Sequence, residues 1–342
     1  MDVTRSATPE ARRRAILSDL GPGAHQCWYP IALSSDVPKG KAIGVDLADG
    51  RVVIYRGEDE VVRVMSAFCK HMGADLSVGG DVIGNNIRCP YHHWEFGEGG
   101  KCKKIASGDP IPKGSSLANL PTEERLGLIW AFLGEAPLYD LPTFEEFDDK
   151  KHAYRAFEIE LDAKLNIEPW MFATNVFDVV HNRVVHGLTF ADPVVEEVSP
   201  YLRRMSWDAE HTGEKQEGAW RPDIEVNGVN GITTRSEVDG RLKWYVAVMT
   251  PCGSLGTRVF FSIVTTKDEK SEEYLDTWQA MHNRFVNEDL PILNGLRFGD
   301  MHLVNADRAM ARFMSAVRKY PRTTLDALET AANVAERKAA NA

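Results

Sequence analysis

The sequence predicts an α+β chain in two parts. An all-β domain covers residues 24–140, and a domain over 141–342 sets helices against an antiparallel sheet. Residues 1–23 read as an N-terminal tail or short helix. Two observations carry the prediction. The first half holds short apolar runs punctuated by Gly and Asp, the pattern of strands and turns. The second half mixes such runs with two long segments of helical period. Pro137, Pro142 and the acidic run Glu145–Asp149 separate the halves.

In order, Trp28-Tyr29-Pro30 opens the first domain. Strands are expected near Lys41–Leu47, Val52–Tyr55 and Val61–Ala67, with a turn at Asp49-Gly50. Short strands near Asn86–Arg88 and Trp94–Phe96 follow, and Glu123–Leu133 reads as one further strand. Beyond the boundary, Tyr154–Leu161 leads into a new sheet and Asn166–Arg183 has helical periodicity. Val195–Trp207, Gly231–Glu237, Leu242–Thr250 and Arg258–Thr266 read as strands, with Asp239-Gly240 as a hairpin turn. Ser271–Arg297 reads as a long helix, and a final helix covers about Leu325–Lys338.

Composition narrows the class. Hydrophobic residues at 43% and charged residues at 26% fit a globular chain with a full core. A net charge of −10 argues against non-specific nucleic-acid binding. No run of 18 apolar residues is present, so no membrane span is expected. No secretory leader is visible after Arg12-Arg13-Arg14, and a cytoplasmic protein is expected. Five cysteines are an odd number, against a disulfide framework. Cys27, Cys102 and Cys252 read as small buried residues.

The first chemical motif is Cys69-Lys70-His71, then seventeen residues, then Cys89-Pro90-Tyr91-His92. A single residue between the first two ligands is too few for the usual structural zinc turn. Each pair also holds one Cys and one His. A [2Fe–2S] cluster with two thiolates on one iron and two imidazoles on the other asks for this pattern. Cys69, His71, Cys89 and His92 are thus the candidate cluster ligands. Gly73 and Pro90 permit tight loops whose N–H groups can point at sulfur.

The second motif is Asp178-x-x-His181-x-x-x-x-His186. Residues five apart on a helix are rotated by about 140°, so the helix must end or unwind between the two His for both rings to meet one ion. Val184-Val185 and Gly187 suit an end there. Asp178 and His181 share a face, and Asp178 is expected to hydrogen-bond the ring of His181. Two His and a carboxylate form the facial triad of non-haem Fe(II) sites. Asp289 is the candidate carboxylate, because Trp278, His282, Phe285 and Asp289 make one largely apolar stripe. Glu288, Asp300 and Asp307 are the next choices. Pro291 is expected to disturb the helix just beyond.

Together the motifs resemble the terminal oxygenase subunits of Rieske non-haem iron oxygenases. The likeness runs through His71-Met72-Gly73-Ala74-Asp75-Leu76-Ser77, Cys89-Pro90-Tyr91-His92-His93-Trp94, Asn175-x-x-Asp178-x-x-His181-x-x-x-x-His186 and Asn287-Glu288-Asp289. It implies a Rieske [2Fe–2S] domain and a helix-grip catalytic domain. It implies mononuclear Fe(II) on His181, His186 and Asp289, with Asp178 bridging the two metal centres. It also implies a homotrimer in which one subunit's cluster faces the next subunit's iron. The stretch His71–Gly80 is similar to that of 3-ketosteroid 9α-hydroxylases and Rieske sterol desaturases.

The implied activity is hydroxylation of a hydrophobic cyclic substrate, steroid-like or aromatic, using O₂ and electrons. O- or N-demethylation and ring dihydroxylation share the same motifs. No GxGxxG element lies between a strand and a helix. NAD(P)H and flavin therefore belong to a separate flavin- and iron–sulfur-containing reductase, or to a reductase and a ferredoxin. An electron-transfer protein without oxygenase activity is the reading of another class. It leaves Asp178, His181, His186 and Asp289 without a purpose.

Overall fold

The computed structural model describes residues 20–187, 193–206, 223–238, 240–253, 256–296 and 301–339. Residues 1–19 of the tail expected over 1–23, Trp207, Asp239, Arg297 and the alternative ligand Asp300 lie outside the described residues.

The first domain is built from three small antiparallel sheets. Ala42–Leu47, Gly50–Arg56 and Val62–Ser66 form a meander, as their alternating apolar pattern predicts. The hairpin turns on Ala48-Asp49, one residue earlier than expected, with Ala48 at φ 52°. A four-stranded sheet from Asp81–Ile83 to Cys102–Lys104 carries the second cluster loop. The third sheet corrects an expectation. Glu123–Leu133 is not one strand but a hairpin, Thr122–Arg125 against Leu128–Phe132. Leu126 and Gly127 turn it with φ of 47° and 78°, the pair of left-handed residues that a two-residue hairpin needs.

The second domain is one seven-stranded antiparallel sheet. Its strands in chain order are β1 (His152–Glu158), β2 (Val194–Ser199), β3 (Leu202–Ser206), β4 (Asp223–Asn227), β5 (Gly231–Val238), β6 (Arg241–Pro251) and β7 (Thr257–Thr266). Across the sheet they run β1-β7-β6-β5-β4-β3-β2. The expected strand Val195–Trp207 is thus a hairpin, broken at Pro200-Tyr201, where proline removes a ladder donor. Strand β4 has no counterpart among the expected elements.

Among the described residues the α-helices are α1 (Pro169–Thr174), α2 (Val179–Val185), α3 (Ser271–Gly295), α4 (Arg308–Val317) and α5 (Leu325–Ala339). The expected helix over Asn166–Arg183 is broken at Asp178, which has φ −99° and ψ 87° and caps α2. Helix α3 runs through Pro291 to Gly295 without ending, contrary to the expected disturbance. The proline removes one hydrogen bond to the carbonyl of Asn287, close enough to the helix end for the rest to hold.

Alternation along β6 organises the core. Trp244, Val246 and Val248 face the first domain's Trp28, Trp130 and Phe132. Tyr245 and Ala247 face the other way, toward α3. The two ends of the chain close on each other. Ala24–His25 pairs with Arg322–Thr323, and α5 returns to the first domain, where Glu329 meets Ser66 and Lys70.

Candidate metal centres and the cavity beside them

The two cluster loops have the same internal geometry. The N–H of Cys69 donates to the Ala74 carbonyl at 2.9 Å, and that of Gly73 donates to the Cys69 carbonyl at 2.8 Å. In the second loop Cys89 donates to Trp94 at 2.8 Å and His93 to Cys89 at 3.1 Å. The fourth residue after each Cys is left-handed, Gly73 at φ 76° and His93 at φ 55°. Glycine takes that conformation at no steric cost, and histidine is among the side chains that tolerate it.

These loops sort the four candidate cluster ligands. Cys69 and Cys89 are buried among Met65, Leu76, Ile87 and Phe96. His71 and His92 are at the surface, with their Nδ1 atoms 3.1 Å apart. Burial pushes the Cys69 thiol up to about 11, so a thiolate there requires a cation beside it. Two inward sulfurs and two converging ring nitrogens fit a cluster with its imidazole side outward. Trp94 stacks on His71, ring centres 4.9 Å apart, and Asp75 is held by Arg51 at 2.8 Å.

The second centre lies between α2 and α3. His181 is on α2, His186 immediately follows it, and Gly187 turns the chain at φ 67°. Ending the helix there brings both rings to the same point, as the five-residue spacing requires. Nε2 of His181 and Nε2 of His186 are each 3.2 Å from Oδ1 of Asp289. All three ligand atoms lie within 4.8 Å of one another. Asp289 is 4% exposed. Burial would raise its carboxyl, but the two imidazoles facing it hold it below its ordinary value.

Two buried atoms here, His181 Nε2 and Asp289 Oδ1, have no hydrogen-bond partner. Unpartnered buried polar atoms are costly, and two that face each other fit a cation between them. Two imidazoles and a carboxylate with further positions open suit Fe(II).

The neighbours of the triad include residues that sequence reasoning assigned otherwise. Glu288, an alternative ligand from sequence, instead meets Nδ1 of His186 at 3.1 Å. Asn175 donates to Oδ2 of Asp289 at 3.3 Å. Asp178 meets His181 through the backbone: its Oδ1 accepts the His181 N–H at 2.8 Å, as a helix cap, where a bond to the ring was expected. Asp307 accepts the N–H of Val304, away from the triad.

A cavity of 150 Å³ opens beside the triad. Ile232, Tyr245, Ala247, Phe261, Met281 and Phe285 supply most of its apolar lining. Tyr245 and Phe261 line it, whereas Trp244 and Phe260 face the interface with the first domain. Phe177 packs on Phe313, and Phe190 lies outside the described residues.

Residues 27–120 match the family model of the Rieske [2Fe-2S] domain. Cholesterol 7-desaturase nvd of Bombyx mori is 31% identical over 217 residues, 61% of this chain and 46% of that protein. Aminopyrrolnitrin oxygenase PrnD of Pseudomonas fluorescens is 32% identical over 173 residues, 47% of this chain and 46% of that one. The chain spans about half the length of these curated relatives. The structure of NdmA from Pseudomonas putida CBB5 with caffeine superposes with a TM-score of 0.71 at 20% identity, covering 94% of this chain and 96% of that one, which shows a shared fold. The segment around Cys69, His71, Cys89 and His92 is a Rieske [2Fe–2S] domain, and the chain belongs to the Rieske oxygenase family.

Proposed function

We propose that this chain is the oxygenase component of a multicomponent Rieske non-haem iron monooxygenase acting on a hydrophobic cyclic substrate. The observation that carries the reading is the meeting of His181, His186 and Asp289 in the lining of a mostly apolar cavity. A Rieske carrier needs the first domain only. This chain adds a three-ligand site with an apolar chamber beside it. With iron bound, the site supplies O₂ activation, fed by electrons from the cluster.

The chain's own residues do the rest. Cys69 and Cys89 hold the buried side of the cluster, while His71 and His92 present its other side at the surface for electron exit. Glu288 accepts from Nδ1 of His186, which leaves Nε2 of that ring for metal. Asn175 orients Asp289. The lining from Ile232 to Phe285 excludes water and holds the substrate's apolar body. Asp178, half-buried beside His181, has one carboxylate oxygen on the helix cap. We assign the other to a histidine of a neighbouring subunit's cluster, in a head-to-tail homotrimer.

The cavity volume of 150 Å³ is below the ~300 Å³ at which ligand pockets usually begin. It favours a one-ring aromatic substrate over a steroid-like one. Hydroxylation and demethylation both follow from single-oxygen attack on such a molecule. The test is NADH- and O₂-dependent product formation with a surrogate reductase, over methoxylated aromatics and steroids. Electron uptake by the cluster with no product from any of them, in protein carrying its full iron, would overturn the reading.

A further inference from the structure

The cavity lining holds two groups of polar side chains, and the triad is only one of them. His282 lies two turns before Asp289 on α3, about 10 Å along the axis by the rise of 1.5 Å per residue. It is 6% exposed, and its Nε2 is buried without a hydrogen-bond partner. Its ring packs between Tyr245 and Phe261, with centroid distances of 4.7 and 4.5 Å. Lys243 lines the same cavity from β6, two residues before Tyr245 and therefore on the same face. Its Nζ lies over the Trp278 ring, one turn along α3 from His282. Both residues are buried and both line the chamber, which is otherwise mostly apolar.

We infer that Lys243 and His282 form a binding site for a carboxylate on a one-ring substrate whose other end lies against His181, His186 and Asp289. The inference rests on the oxygenase reading and names the substrate class for it. An ammonium or amine and a ring N–H are both donors, so one acceptor oxygen can take a hydrogen bond from each. Burial lowers Lys243 to about 6 and His282 well below its ordinary value. A negative charge at that end would offset the desolvation that causes both shifts. An engineered cavity of about 150 Å³ takes up benzene, the same scale as this chamber.

The test is calorimetric binding to the iron-loaded protein, without reductant, using 4-methoxybenzoate, 4-methoxybenzamide and androst-4-ene-3,17-dione as probes. The acid should bind at least about 10-fold more tightly than the amide, since a charge-assisted hydrogen bond is worth about twice a neutral one. Lys243→Met, which keeps length and suits a buried site, should weaken the acid about 10- to 100-fold. It should leave the amide within about 3-fold, so the preference collapses. Equal binding of acid and amide by the unaltered protein, no binding of either, or undiminished acid binding by Lys243→Met would each overturn the inference. So would a steroid that binds tightly and competes with the acid. None of these measurements consumes O₂ or electrons, so they stand apart from failure of the oxygenase reading, which iron content and turnover decide.

Discussion

Oε2 of Glu288 lies 3.1 Å from Nδ1 of His186, while Nε2 of the same ring lies 3.2 Å from Asp289. Adjacent residues on α3 thus meet opposite sides of one imidazole. In the proposed site the acid at 288 would set the tautomer, and the acid at 289 would share the metal position. Glu288→Ala should keep the cluster's visible spectrum but lower affinity for the mononuclear iron by about 10- to 100-fold, as loss of a ligand's hydrogen-bond partner does. Iron retained after dialysis against a weak chelator measures this. Retention equal to the unaltered protein would remove Glu288 from that role.

The two centres should separate by mutation. Cys69→Ser or His92→Ala removes one of the four proposed cluster ligands and should abolish its visible absorption. His186→Ala should leave that absorption intact and stop turnover. A normal spectrum in Cys69→Ser would contradict the ligand assignment.

Much of this was legible in the sequence, because ligands leave a spacing. One residue between Cys69 and His71 and five positions from His181 to His186 each imply a local backbone shape, and the shapes are there. The buried place of Asp289 followed from its stripe with Trp278, His282 and Phe285. What was not legible depends on contacts between elements distant in sequence. Glu288 and Asp289 look alike until α2 docks on α3. Lys243 is an ordinary strand lysine until β6 is seen to turn it toward α3. Two hairpins were read as single strands because Leu126-Gly127 and Pro200-Tyr201 are short turns within apolar runs. Helix α4 does carry an apolar stripe, Met310, Phe313, Met314 and Val317, but over only ten residues, and the five-residue strand β4 is shorter still, so tertiary packing supplies their stability.

The buried lysine predicts how stability varies with pH. In the folded protein burial lowers Lys243 from 10.5 to about 6, so between those values the unfolded chain binds a proton that the folded chain does not. Stability should therefore rise with pH through that window. His282 on α3 and Tyr245 on β6 face the same chamber. The first is held well below 6.5 and the second above 10, so neither titrates from about pH 7 to 9.5. Lys243→Met should be more stable than the unaltered protein at pH 7 by upwards of about 1.4 kcal/mol, the worth of a tenfold change in proton affinity. The advantage should narrow toward pH 9.5. Urea unfolding at several pH values measures both, and a constant difference would show that Lys243 stays charged in the fold.

Asp178 caps α2 through the His181 N–H, and Asn caps as well as Asp does. Asp178→Asn should therefore keep the fold and both metals, yet slow electron passage between centres. Mixing two inactive proteins, Cys69→Ser and Asp289→Ala, tests the route. Co-assembled rings contain interfaces with an intact cluster facing an intact iron, so activity should return. A mixed assembly, verified by mass, that stays inactive would place electron transfer within one chain or exclude Asp178 from it.

A further iron on His181, His186 and Asp289 is what would separate this chain from an electron carrier, and iron content per chain tests it most directly. Iron and acid-labile sulfide, measured on protein assembled anaerobically, should give about three irons and two sulfides per chain, the sum of a [2Fe–2S] cluster and one triad iron. Asp289→Ala should fall to about two irons with sulfide unchanged. About two irons in the unaltered protein, with Asp289→Ala indistinguishable from it, would contradict the oxygenase reading and leave a carrier of electrons.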